Sequence, residues 1–300
     1  KYRRTFTVEV YGGVSIGPQI DHLRSADVVV GTPGRMLDHL SRGTLNLSRV
    51  HILVLDEADK MFEMGFIQDV KKILSKISPK AQKLLFSATM STEIMNIVKQ
   101  FMNNPERVKM PSYVDKSKLI QHYYDTERNN KFSLLVHTLK TEAKGLVLVF
   151  CGTRHGVDLV HKNLYKQHIR SQAIHGGISQ HQRKQVMDAF REGKLDVLVA
   201  SDVAARGLDI KNVNLIINYD LPKTSLDYVH RIGRTARAGC EGKVISLLTQ
   251  EDHDNFRSIL QDRSLLIHKM STPHCEHVEF IRPPRSPRPT FRRFQGRRRF

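Results

Sequence analysis

Short, continuous apolar runs alternate along the chain with longer stretches in which apolar residues recur at helical spacing. The runs are Val28–Val30, Ile52–Leu55, Leu84–Phe86, Leu146–Phe150, Val197–Ala200, Leu215–Asn218 and Val244–Leu248. They are rich in Val, Leu and Ile, as parallel strands covered on both faces are. Helical patterns fill about 64–77, 91–102, 131–140, 155–167, 179–191 and 225–236. Ser179 with Gln182, and Thr224 with Asp227, have capping-box spacing and mark two helix starts. Strand–helix alternation implies right-handed crossovers and an α/β fold of parallel sheets. A polar stretch at 111–118 parts two such series, so it reads as a short linker. One lobe is expected at 1–110, a second at 119–265, and a tail at 266–300.

Composition narrows the class. Of 300 residues, 40% are hydrophobic and 26% charged, enough apolar material for two cores. No apolar run approaches the roughly 20 residues that span a bilayer. The start, Lys1-Tyr2-Arg3-Arg4, is no signal peptide, and without an initiator Met it is expected to lie inside a longer protein. Three scattered cysteines (Cys151, Cys240, Cys275) make no disulfide framework, which suits a reducing compartment. His268, His274, Cys275 and His277 match no zinc spacing and read as loop residues without metal.

Charge changes the picture more. The net charge is +18, which points to a polyanionic partner, nucleic acid first. Arg282, Arg285, Arg288, Arg292, Arg293, Arg297, Arg298 and Arg299 fall in the last 20 residues, with no acid among them. Four prolines and Phe291, Phe294 and Phe300 lie between them. The composition cannot form a core and is expected to be disordered. Its rings and guanidinium planes suit stacking on unpaired bases. A solubilising tail with no partner is the blander reading.

Ligands of parallel sheets gather at the carboxyl ends of strands. Ile52–Leu55 runs into Asp56-Glu57-Ala58-Asp59. A strand ending in carboxylates suits Mg²⁺ binding and activation of a water, although acids there also serve as helix caps. Thr32-Pro33-Gly34-Arg35 follows Val28–Val30, and taken alone is an ordinary Pro-Gly turn. Ser87-Ala88-Thr89 follows Leu84–Phe86 and could simply cap a helix. Gly176-Gly177 precedes the helix starting near Ser179, the arrangement of an anion site. Arg231, Arg234 and Arg237 recur every third residue and are expected on or near one helix face, with Gly239 as the stop. A solvated basic face is the alternative.

In this order the segments resemble the motifs of the DEAD-box ATP-dependent RNA helicases of superfamily 2, over about residues 10–250. Asp56-Glu57-Ala58-Asp59 spells the family signature. Gly12-Gly13 resembles its GG element, Thr32-Pro33-Gly34-Arg35 motif Ib, and Ser87-Ala88-Thr89 motif III. Val149-Phe150 to Thr153-Arg154 resembles motif IV, and His175-Gly176-Gly177 with Gln180 and Arg183 the next RNA-contacting element. Ser201-Asp202-Val203-Ala204-Ala205-Arg206-Gly207-Leu208-Asp209 resembles motif V, and His230-Arg231-Ile232-Gly233-Arg234-Thr235-Ala236-Arg237 motif VI. Ser201 stands where Thr is usual and Ala236 where Gly is common.

The resemblance implies two RecA-like lobes, ATP with Mg²⁺, and RNA held mainly by its backbone. It makes Asp56 the magnesium-side carboxylate, acting through water, and Glu57 the group that orients or deprotonates the attacking water. Gly207 and Asp209 would meet the nucleotide, Asp209 at its ribose. Arg234 and Arg237 would act as arginine fingers toward the γ-phosphate from the second lobe. Ser87, Thr89 and Asp59 would couple hydrolysis to strand separation, with Arg231 bonded to the acidic loop and His230 to the Ser-Ala-Thr loop. Gly12, Gly13, Thr32, Pro33, Gly34, Arg35, Thr153, Arg154, Gly176, Gly177, Gln180, Arg183, Ser201 and Asp202 would contact RNA.

One expected part is missing. These 300 residues contain no G-x-x-x-x-G-K-[ST] loop, since Gly193-Lys194 and Gly242-Lys243 are followed by Leu and Val. The first lobe is therefore expected to be incomplete, and the chain alone a poor ATP hydrolase. The reading is an ATP-dependent RNA helicase, monomeric and cytoplasmic (nuclear or nucleolar in a eukaryote), without membrane association. The alternative is a non-catalytic RNA-binding or annealing protein that uses the second lobe and the arginine tail.

Overall fold

The computed structural model describes residues 4–109, 119–205, 213–235 and 241–282, with Val203 described by its backbone alone. The chain divides into two compact units, Lys1–Lys109 and Met110–Phe300.

The first unit contains β1 (Thr7–Val10), α1 (Gly17–Leu23), β2 (Val28–Gly31), α2 (Pro33–Ser41), β3 (Ile52–Leu55), α3 (Ala58–Glu63), α4 (Ile67–Leu74), β4 (Gln82–Leu85) and α5 (Thr92–Phe101). Among the described residues its strands form two separate parallel pairs, β1–β2 and β3–β4. Leu53, Leu55 and Leu85 pack with Phe62, Val70, Leu74, Ile94 and Ile97 from α3, α4 and α5. The alternate residues of β3, Ile52 and Val54, are 60% and 50% exposed, and Val28 and Val30 of β2 are 43% and 59% exposed. Apolar parallel strands ordinarily have both faces covered. Here one face is open. The helix expected at 64–77 is the shorter α4, Ile67–Leu74, because Gly65 turns at φ +84° and parts it from α3.

The second unit contains β5 (Leu119–Asp125), α6 (Lys131–Glu142), β6 (Val147–Cys151), α7 (Arg154–Lys166), β7 (Ser171–Ile174), α8 (Gln180–Arg191), β8 (Val197–Ser201), α9 (Asp202–Ala205), β9 (Leu215–Asn218), α10 (Ser225–Ile232), β10 (Gly242–Leu248), α11 (His253–Leu260) and β11 (His268–Lys269). Among the described residues its seven strands are parallel, in the order β11-β5-β10-β9-β6-β8-β7. Both faces are covered. One carries Leu148, Phe150, Leu198, Phe190, Tyr228 and Phe256, the other Val147, Val149, Phe132, Leu135 and Leu164. Both expected caps are present, with Ser179 in a complete capping box and Thr224 accepting from the Asp227 N–H. No helix among the described residues is long and apolar enough to cross a membrane.

Two expectations are corrected. The helix expected over 225–236 ends at Ile232, with Gly233 as its cap, so Arg231 and Arg234 do not share a helix face. The tail expected from 266 starts with folded chain. β11 pairs with β5, and the Thr272 hydroxyl donates to the Asp125 carbonyl at 2.6 Å. The Val278 N–H donates to Ser133 Oγ at 3.0 Å, and the Ile281 N–H to Asn163 Oδ1 at 2.9 Å. Val278 and Phe280 fall on alternate positions of an extended segment and turn to the same side, with the Phe280 ring 4.9 Å from that of Phe132. This apolar alternation carries the strap across α6 and α7. The arginines from Arg285 onward lie outside the described residues.

Candidate functional site

The acidic loop follows β3 directly. Asp56 and Glu57 are both exposed, and Asp56 Oδ1 accepts the Glu57 N–H at 2.9 Å. Glu57 starts α3 with left-handed backbone, φ 49° and ψ 46°. Two exposed carboxylates of hard oxygens at a strand end fit Mg²⁺ through its water shell. Asp59 points the other way and is buried. Its Oδ2 accepts the Thr89 N–H at 3.1 Å and the Thr89 hydroxyl at 3.2 Å. The Asp59 N–H donates to Ser87 Oγ at 3.3 Å, whose hydroxyl donates to the Thr89 carbonyl at 2.7 Å. The loop after β4 is thus tied to the acidic loop through both hydroxyl residues.

A second cluster joins the loops after β1 and β2. Thr32 precedes α2 and Pro33 occupies its first turn, but the Thr32 side chain does not cap the helix. Arg35 donates to the Val14 carbonyl at 3.0 Å and to Gln19 Oε1 at 3.1 Å. Gln19 Nε2 donates to the Tyr11 carbonyl at 3.1 Å, and His39 Nε2 lies 3.1 Å from Gln19 Oε1. Gly12 and Gly13 are therefore held from both sides. Gly13 has φ +82°, and no atom of the protein lies within 4 Å of where a Cβ of Gly12, Gly13 or Gly34 would be. That leaves room for a ligand backbone to approach closely. His39 is fully buried, and burial followed by the Arg35 charge holds its pKa below the usual value. Nothing in the sequence singles out Gln19 or His39. Only the one-turn spacing of Arg35 and His39 hints that they work together.

In the second unit the site residues crowd the strand ends. Thr153 caps α7 by accepting the Gly156 N–H at 2.9 Å, and exposed Arg154 follows it. Gly176 and Gly177 lead into α8, where Gln180 is exposed in the first turn. Arg183, expected at RNA, donates to the Ala204 carbonyl at 2.6 Å and so ties α8 to α9. Ser201 is buried at the end of β8. The Asp202 carboxylate, also expected at RNA, receives Arg231 in a fork, with Nε to Oδ1 at 2.6 Å and Nη2 to Oδ2 at 2.8 Å. Arg231 Nη1 donates to Asn218 Oδ1 at 2.8 Å and to the Asp220 carbonyl at 2.7 Å. The buried Arg231 guanidinium thus takes four acceptors from its own unit. His230 and Arg234 line a small cleft with Phe150, Asp202, Ala205 and Asp227. Gly207, Asp209 and Arg237 lie outside the described residues.

Known proteins resemble the chain along most of its length. The DEAD/DEAH box helicase profile matches residues 1–97, and that of the helicase conserved C-terminal domain matches 130–239. The DEAD-box ATP-dependent RNA helicase CshA of Geobacillus kaustophilus is 42% identical over 92% of this chain, which spans 60% of that protein. The probable ATP-dependent RNA helicase MJ0669 of Methanocaldococcus jannaschii is 42% identical over 87% of this chain, which spans 70% of it. Among solved structures, Saccharomyces cerevisiae Dbp5 bound to RNA and ADP BeF3 aligns with a TM-score of 0.79 at 27% identity, covering 89% of this chain and 71% of that one. Mss116p bound to ssRNA and AMP-PNP aligns with a TM-score of 0.76 at 26% identity, covering 88% and 57%. The two units are the RecA-like α/β folds of those proteins, and the chain belongs to the DEAD-box ATP-dependent RNA helicase family.

Proposed function

We propose that this chain is part of an ATP-dependent RNA helicase that couples ATP hydrolysis to RNA binding and local unwinding or remodelling. The observation that carries the reading is the split within the acidic loop. Asp56 and Glu57 are exposed at the strand end, while Asp59 is buried against Ser87 and Thr89. In this reading Asp56 holds Mg²⁺ through water, and Glu57 orients or deprotonates the attacking water. The metal supplies charge neutralisation on the phosphates. Arg234 and Arg237 stabilise the γ-phosphoryl group, Gly207 and Asp209 meet the nucleotide, and Asp59 with Ser87 and Thr89 relays the state of the acidic loop. Arg231 holds Asp202 and α10 in place. RNA backbone is taken by the Gly12-Gly13 and Thr32–Arg35 loops, by Thr153 and Arg154, and by Gly176, Gly177 and Gln180. Dbp5 and Mss116p, with RNA or ssRNA and nucleotide bound, support RNA as the partner. A cytoplasmic, monomeric protein is part of the proposal.

We further infer that the first unit is completed by additional chain carrying a G-x-x-x-x-G-K-[ST] loop. Two parallel pairs with Ile52, Val54, Val28 and Val30 exposed leave a face for strands and a helix to cover. The same gap favours a second reading for the 300 residues on their own, namely RNA binding or annealing without turnover. Phosphate release decides between them. The 300-residue chain is expected to release phosphate at background rate with or without RNA. A chain extended to include the loop is expected to show RNA-stimulated release, lost in Glu57→Gln. Unchanged turnover in the extended Glu57→Gln protein refutes the role of Glu57, and strong RNA-stimulated release by the 300 residues refutes the argument about the loop.

A further inference from the structure

Asp158 belongs to none of the motifs, yet it reaches into one. It lies one turn after Arg154 on α7, so both side chains face the loop after β7. Its Oδ1 is 2.9 Å from His175 Nε2, and the Gly177 N–H donates to His175 Nδ1 at 3.0 Å. Since Nδ1 accepts, the neutral ring carries its proton on Nε2 and donates it to the carboxylate. The buried ring then lies directly under the glycines: a Cβ on Gly177 would come within 3.0 Å of Cε1 and Nδ1 of His175. Arg154 closes the other side, its Nη2 standing 3.0 Å from where a Cβ of Gly176 would be. The Ile178 N–H returns to the His175 carbonyl at 3.3 Å, and the Ser179 capping box starts α8 immediately after.

From this geometry we propose that Asp158 is a positioning residue for RNA binding: by fixing the tautomer and ring plane of His175, it sets the Gly176–Gly177 turn that aims the start of α8 at phosphate. The inference rests on the RNA reading above. Without the carboxylate the ring is free to rotate, the Gly177 N–H loses its acceptor, and the turn loses its fixed direction. The role runs against simple electrostatics. Asp158 is 43% exposed beside a site meant for a polyanion, so its charge by itself weakens RNA binding.

That opposition makes the test sharp. Binding of a labelled single-stranded oligouridylate to the 300-residue chain is measured at fixed salt for the parent protein, Asp158→Ala and Asp158→Asn. Positioning predicts affinity about tenfold weaker for Asp158→Ala, the scale of one charge-assisted hydrogen bond. Asp158→Asn keeps an oxygen acceptor and drops the charge, so it is expected to bind as tightly as the parent or tighter. Amide hydrogen exchange at Gly177 is expected to quicken in Asp158→Ala alone, with the melting temperatures of all three alike. If both variants bind tighter, or Gly177 exchange is unchanged, Asp158 is only a surface charge and the inference is overturned. If the parent binds no RNA, it is the RNA reading that fails.

Discussion

Arg231 sits fully buried, yet each of its guanidinium nitrogens has an acceptor, and its Cζ lies 4.7 Å from the centroid of the Phe150 ring. Taking a cation out of water is costly unless pairing is complete, and here Asp202, Asn218 and the Asp220 carbonyl complete it. Removing one partner strands the others. Arg231→Ala is expected to lower the stability of the second unit by about 3–5 kcal/mol, read as a shift of the urea midpoint. Arg231→Lys should recover only part of that, because an ammonium cannot reproduce the fork. The three-residue spacing of Arg231, Arg234 and Arg237 picked out a basic cluster. It could not tell that the helix stops at Gly233, nor that the first arginine turns inward. The same holds for Asp202 and Arg183, whose partners come from elements distant in sequence. Asp56 and Glu57 were readable because nothing in the fold competes for them: they simply follow an apolar strand.

Helices with a Ser or Thr cap were read to within a residue or two at their starts, since the cap fixes the first turn by local bonds. Strands rich in Val, Leu and Ile were read almost as well. β1, β5, β7 and the two-residue β11 were not, because polar residues interrupt them and their identity comes from a neighbouring strand. The strap at 266–282 was hidden for a related reason. Its own sequence scatters apolar residues among histidines and balanced charges, Lys269 and Arg282 against Glu276 and Glu279, and only a lobe already folded shows Val278 and Phe280 where to go. Truncation after Leu265 is expected to destabilise the second unit by about 2–4 kcal/mol, the scale of two partly buried apolar side chains and their bonds. Truncation after Arg282 should leave its thermal melt unchanged. Equal melts for the two truncations would show that the strap contributes nothing.

At the scale of the molecule, the parallel α/β class and the division near residue 110 were legible from the alternation of elements. The strand order β11-β5-β10-β9-β6-β8-β7 was not, because crossovers return strands out of sequence order. Charge also acts at this scale. Seven of the eight terminal arginines follow Arg282. If they track phosphates, deleting residues 283–300 should make the dependence of RNA affinity on salt shallower by several units of log–log slope, at about 0.7 per phosphate contact on single strands. An unchanged slope would free the tail from any part in binding.

Glu57 holds a left-handed backbone that a residue with a Cβ adopts only against its own sterics. Glycine would rest there comfortably but bring no carboxylate. Robustness and chemistry therefore pull in opposite directions at this one position. A library of variants screened for heat resistance alone would drift toward discarding the very carboxylate to which the proposed mechanism assigns the attacking water.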